Sequence, residues 1–223
     1  MNRKFISFSK KIYQCNKCTR LVNFRNKISL KKRKSYLDQV YWGKPISGFG
    51  DLNGNIIIIG LAPAAHGATR TGRVFTGDKS ADFLFNCLFK SGLSNQPNSD
   101  HINDGLKLKN TFITLALRCV PPEDKPTKEE LKNCSAFFKE ELNMIKNKKV
   151  IVALGKIAFD ACIKFYKENY GLTGSYKFGH GSKYDINGLT IFGCYHPSPR
   201  NVNTKRINTT KMTYLFKRAK KLI

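Results

Sequence analysis

Two loops and a set of thiols hold the side chains of this chain that can do chemistry. The first loop follows a run of four isoleucines and reads GLAPAAHGATRTGRVFTGD from Gly60 to Asp78. Its small residues let a planar or anionic group come close to the backbone. It also carries Arg70, Arg73, Phe75 and one carboxylate, Asp78. That carboxylate suits the electrostatic partner of a developing cation. It is equally the natural N-cap of the helix that follows, and a cap that accepts amide bonds is expected to keep a low pKa. The second loop is Tyr195-His196-Pro197-Ser198-Pro199-Arg200-Asn201. A histidine there can donate a hydrogen bond to negative charge growing on a leaving group. The alternative is a histidine bonded to a nearby carbonyl. Ser198, Arg200 and Asn201 offer short polar contacts of the kind that hold a phosphate backbone.

The seven cysteines divide by context. Cys87, Cys162 and Cys194 lie among apolar residues and read as small core side chains. Cys15 and Cys18 form CNKC in a basic segment, Cys119 shortly precedes Pro121-Pro122, and Cys134 falls in the helix that opens at Thr127. Four such thiolates suit zinc or an iron–sulfur cluster, and spacing does not separate the two. Four unrelated thiols are the third reading.

Both loops need rigid elements behind them. Ile56–Gly60, Thr111–Leu117, Val150–Leu154 and Leu189–Tyr195 read as strands buried on both faces. Helices are expected from the Asp78 cap to about Gly92, from Thr127, where Glu130 completes a capping box, from Gly155 to about Tyr166, and over Asn208–Leu222. Residues 92–110 read as loop and Gly171–Gly188 as a glycine-rich excursion. Residues 1–50 read as a basic, irregular extension with one helix around Lys31–Tyr41. Strands alternating with helices imply one α/β domain with a mostly parallel sheet, and ligands bind such sheets at the carboxyl ends of the strands.

Charge narrows the partner. Lys and Arg number 40 against 15 Asp and Glu, a net charge of +25. A surplus this large points to an anionic polymer or surface, although a lysine-rich proteome would give a solvated basic face as well. There is no apolar leader at the N-terminus and no apolar run long enough to span a bilayer, so a cytoplasmic, nucleoid-associated protein is expected.

The first loop, the RCVPPEDKPT segment and YHPSPRNVNT together resemble the motifs of uracil-DNA glycosylases, most closely the family 5, or type b, branch. YWGKPISGFGD, SNQPNSD and FGHG agree, so the resemblance runs from Cys15 to the last helix. It implies a three-layer αβα sandwich around a four-stranded, mostly parallel sheet. It also implies a [4Fe–4S] cluster on Cys15, Cys18, Cys119 and Cys134, which decides the tie with zinc. The implied reaction is excision of a flipped uracil from single- or double-stranded DNA by a monomer. Flipping costs a few kcal/mol of unstacking. By this resemblance Phe75 is the platform for the base, and amides near Leu61, Ala62 and Ala64 hold its carbonyls. His196 stabilises the departing base anion, Asp78 is the carboxylate of the site, and Arg70, Arg73, Ser198, Arg200 and Asn201 touch DNA.

The chain departs from related branches in informative places. Leu61 and Ala62 stand where those branches carry an acidic or amide side chain, and Leu115 stands where they carry an asparagine. An apolar pocket discriminates weakly between similar bases, so hypoxanthine is expected as a substrate beside uracil. Two other classes remain in view: a catalytically weak lesion-scanning protein of the same fold, and a metal-dependent binder of RNA or nucleotides.

Overall fold

The computed structural model describes residues 3–223. Helices α1 (Arg3–Tyr13) and α2 (Thr19–Leu30) open the chain. Both fall where the sequence reads as irregular. The amphipathic spacing of α1 was nonetheless legible, since Phe8 and Ile12 are buried one turn apart. The helix expected around Lys31–Tyr41 shrinks to one 3-10 turn, Lys34–Tyr36, because Gln39 and Tyr41 bond outward to the first loop instead.

Strand β1 (Phe49–Gly50) precedes β2 (Ile56–Gly60). The short α3 (Ala68–Thr71) interrupts the first loop, and α4 (Lys79–Lys90) follows it. Then come β3 (Thr111–Leu115), a 3-10 turn at Pro122–Asp124, α5 (Lys128–Met144), β4 (Val150–Leu154) and α6 (Lys156–Tyr170). The glycine-rich excursion holds β5 (Lys183–Ile186), then β6 (Leu189–Cys194), α7 (Pro199–Asn203) and α8 (Thr209–Lys220) close the chain. The capping box of α5 forms as read, with Thr127 Oγ1 accepting from the Glu130 amide.

The sheet has six strands in the order β1-β3-β2-β4-β6-β5. Its inner four are parallel and match the expected set. The two edge strands are antiparallel additions. They escaped the sequence because β1 has two residues and β5 reads KYDI, with only Ile186 buried.

The isoleucine run shows how the layers form. Ile56 and Ile58 pack on one face with Leu84, Phe85 and Leu88 of α4 and Met212 and Phe216 of α8. Ile57 and Ile59 pack on the other with Phe138 and Leu142 of α5 and Phe159 and Ile163 of α6. Successive strand side chains point to opposite faces, so a strand covered on both sides must be apolar throughout. Each buried Ile side chain contributes roughly 1.5–3 kcal/mol. Register then fixes the site: Gly60 lies beside Leu115, and Leu154 beside Cys194. The loops after β2 and β6 leave from the same edge of the sheet.

Candidate functional site

Gly60 ends β2 without a side chain for a local reason. A Cβ there would lie 2.9 Å from the Leu115 side chain and 2.9 Å from the Phe75 ring. The Phe75 ring therefore rests on the strand end, with 8% of the residue exposed. Its backbone sits at φ +47°, a left-handed conformation that costs a non-glycine residue energy and recurs at functional sites. Across the edge, the Phe75 and His196 rings have centroids 5.9 Å apart and are tilted by 33°. The fold thus joins the two loops that the sequence separates by 120 residues. Leu61 and Ala62 are half-buried and Ala64 is exposed. The Leu61 carbonyl accepts from the Leu117 amide at 2.8 Å, which ties the loop to the chain leaving β3. Leu115 is buried in the same cluster as Phe75, and both side chains close on Gly60, so the surface at this strand end is apolar.

His196 carries an imidazole whose pKa burial lowers to about 4. It is neutral at physiological pH, so it offers an N–H without carrying charge. Asn201 Nδ2 donates to the His196 carbonyl at 2.9 Å, and Ser198 Oγ accepts from the Asn201 amide as the N-cap of α7. These two residues brace the histidine loop, while Arg200 is exposed.

Asp78 does cap α4: its Oδ1 accepts from the amides of Ser80 at 2.9 Å and Ala81 at 3.0 Å. Its other oxygen, Oδ2, lies against Gly67, where a side chain would collide with it. The low pKa expected of a cap is corrected here. Burial raises the pKa, and the two amide bonds only partly oppose it. Asp78 lines an open cleft of about 760 Å³ together with Ala64, Ala65, His66 and Gly67. His66 is a site residue the sequence reading missed. Its Nδ1 is 2.9 Å from the Tyr41 hydroxyl. The signal was available, since both residues lie in stretches already singled out as motifs.

Two of the expected DNA contacts are bound up in the protein, Arg73 wholly and Arg70 in part. Arg73 is buried and bonds both oxygens of Asp104, at 2.9 and 2.6 Å, as well as Thr76 and Ser99. Its side chain holds the loop from inside and is not presented to a phosphate. The pair holds the Asp104 carboxyl below the usual range, against an opposing effect of burial. Arg70 donates to the carbonyls of His66 and Gly77 and to Gln39, and its guanidinium lies 4.0 Å over the Tyr36 ring. It clamps the loop at the wall of the cleft. Both arginines were read as surface cations because their partners lie about 30 residues away in the chain.

The four polar-context cysteines line one pocket, walled by Leu21, Pro45, Leu117 and Phe137. N–H donors point at three of the sulfurs. Arg25 Nη1 is 3.1 Å from Cys119 Sγ, the Arg118 amide is 3.3 Å from Cys134 Sγ, and Asn133 Nδ2 is 3.8 Å from Cys18 Sγ. Arg25 is buried, and among the described residues it has no carboxylate partner and an Nε with no acceptor. A buried cation needs an anion nearby, and deprotonated thiols bound to a metal group would supply it. Without one, burial pushes the thiols of Cys18 and Cys119 up, and that of Cys134 up to about 12. The residues fit a thiolate-bound cofactor. Arg118 joins this pocket to the sheet through a buried ion pair with Glu141 at 2.8 Å, and Glu141 also accepts from the Gly48 amide. Cys87, Cys162 and Cys194 are buried in the core as expected.

Comparison with known proteins gives a consistent result. The family model described as the uracil DNA glycosylase superfamily matches residues 47–220. The type-5 uracil-DNA glycosylase of Pyrobaculum aerophilum is 42% identical over 212 residues, covering 95% of this chain and 90% of that protein. The type-5 enzyme of Mycobacterium bovis is 41% identical over 93% of this chain and 78% of its own length. That of Thermus thermophilus is 38% identical over 97% of both.

Proposed function

The chain belongs to the uracil DNA glycosylase superfamily, and from that premise we propose how its residues act as a uracil-DNA glycosylase. The enzyme excises uracil from DNA by hydrolysing the N-glycosidic bond, and leaves an abasic site for repair. Phe75 stacks on the flipped base, a contact worth about 1–3 kcal/mol. Amides near Leu61, Ala62 and Ala64 hold its carbonyls. As the bond breaks, electrons move to the base. The neutral His196 donates a hydrogen bond to the resulting anion, which costs less than aiming a buried cation there. Asp78, partly desolvated, faces the electron-poor sugar and orients the water that attacks it. Ser198 and Asn201 keep the histidine loop in place, and Arg200 reaches the phosphate backbone.

The observation that carries this reading is the meeting of Phe75 and His196 at the carboxyl ends of the strands, on the same loop as a carboxylate whose Oδ1 alone is taken by the helix cap. With Leu115 in the wall, hypoxanthine is accepted beside uracil. Cys15, Cys18, Cys119 and Cys134 hold a [4Fe–4S] cluster, with zinc the lesser alternative. Arg25 beside the thiols suits either tetrathiolate site, and the family resemblance favours the cluster. The cluster ties the N-terminal helices to β3 and α5. No described helix is long and apolar enough to cross a membrane, and the protein acts as a monomer on DNA in the cytoplasm, as one glycosylase domain spanning 1–223.

The test is direct. Purified protein is incubated with uracil-, hypoxanthine- and xanthine-containing strands, single and paired, and abasic sites are then cut with alkali. Cuts at uracil and hypoxanthine support the reading. Binding without cuts overturns it in favour of a lesion-scanning protein. Visible absorbance of the same sample reports an iron–sulfur cluster, and a colourless, zinc-containing sample removes it.

A further inference from the structure

The segment from Leu30 to Val40, LKKRKSYLDQV, lies outside the stretch matched by the superfamily model. It is nonetheless fastened to the first loop at several points. Arg70 stacks on Tyr36 and bonds Gln39 at 2.6 Å, and Tyr41 bonds His66. The amides of Trp42 and Gly43 donate to the carbonyls of Arg70 and Thr69 at 2.9 and 3.0 Å. Within the segment, Lys32 Nζ donates to the Leu37 carbonyl. Arg33, Ser35 and Tyr36 form one wall of the cleft that contains Asp78.

What this fastening presents outward is unusual. Lys31, Arg33 and Lys34 are exposed within a run of four basic residues, with Asp38 the one acid of the segment, while Asp78, Asp82, Asp100 and Asp124 lie across the cleft that Arg33 walls. Val40 is 92% exposed although both its neighbours are anchored, and Leu37 is 62% exposed. A held ridge of cations with apolar tips, at the rim of a site, has the chemistry that grips phosphates and fills space left in a base stack.

We propose that residues 30–40 form a DNA-gripping lip. Lys31 and Lys34 contact phosphates beside the flipped nucleotide, and Leu37 and Val40 press against the opened duplex. This rests on the glycosylase reading, but its test does not depend on catalysis. Binding is measured on a duplex carrying a tetrahydrofuran abasic analogue, over a range of salt. Each phosphate contact contributes about 0.9 to the slope of log K against log salt. Lys31→Gln with Lys34→Gln should lower that slope by about 1.8. Leu37→Ser with Val40→Ser should lower the preference for this duplex over the same single strand about tenfold, without changing the salt slope. All four side chains protrude, so the variants fold. An unchanged slope in the first variant and an unchanged preference in the second would overturn the lip and leave the ridge to a protein partner. Failure of the glycosylase reading shows separately, as wild-type protein that releases no uracil.

Discussion

Replacing Gly67 with alanine tests the site through a single methyl group. The new Cβ would lie 2.8 Å from Asp78 Cγ and 3.1 Å from its Cβ, and would overlap Oδ2. Carbon atoms in contact settle at about 3.5–4.0 Å, so the carboxyl group must move by about 1 Å. Gly67 sits at φ −98°, ψ −104°, outside the regions that side-chain-bearing residues favour, so alanine adds a backbone strain of about 1–3 kcal/mol that shows in stability rather than in rate. Two effects follow with different magnitudes. Losing or bending the bonds to Ser80 and Ala81 weakens the cap of α4 by about 0.5–2 kcal/mol. In a chain of this size that is a fall in melting temperature of roughly 1–8 °C. A catalytic group misplaced by about 1 Å loses about 10²-fold in rate. Single-turnover uracil release, with enzyme in excess, should therefore fall about a hundredfold in a protein that still melts cooperatively. Wild-type rates in Gly67→Ala would show that the placement of Asp78 is irrelevant to the chemistry.

Four further outcomes are expected. Phe75→Ala removes the base platform, and the loss of about 1–3 kcal/mol of stacking should lower kcat/KM about five- to 150-fold; a change in stability alone would make Phe75 a core residue. The rate should show no limb near pH 6.5, because His196 stays neutral down to about pH 4, and should fall towards acid pH along a limb displaced upward from the ordinary carboxylate range by the burial of Asp78. A limb centred near 6.5 would mean that His196 titrates as an open histidine. The unfolded chain binds the His196 proton more readily between about pH 4 and 6.5, so stability falls as pH drops through that window, by about 3 kcal/mol at most. Asp78 works in the opposite direction. Removing the proposed cluster with chelator and oxidant should expose residues 15–45 to limited proteolysis while the sheet persists; an apo protein that is fully protected yet inactive would give that group a chemical role.

The parts of the fold visible in the sequence were those whose signal is local. Ile56–Gly60 and Val150–Leu154 declare themselves because strands buried on both faces must be apolar throughout, and Asp78, Thr127 and Asn208 because caps act over two or three residues. What escaped depends on distant partners. Arg73 is internal through Asp104, and Arg70 at the cleft wall is held by Gln39 and Tyr36, partners about 30 residues away that the sequence around either arginine does not announce. The same holds for the Asp78 pKa, whose direction is set by how deeply the first loop folds over it. Motif resemblance located His196 and Phe75, but only the parallel register of β2, β4 and β6 explains why they meet.

The central claim is that Asp78 serves the chemistry as well as the helix, and single-turnover uracil release by Asp78→Asn measures it. An asparagine keeps the Oδ1 acceptor for the Ser80 and Ala81 amides and removes a buried charge, so the variant should melt at or slightly above the wild-type temperature. Uracil release should fall by at least a hundredfold in that well-folded protein. Release at the wild-type rate would contradict it and leave Asp78 as a cap alone.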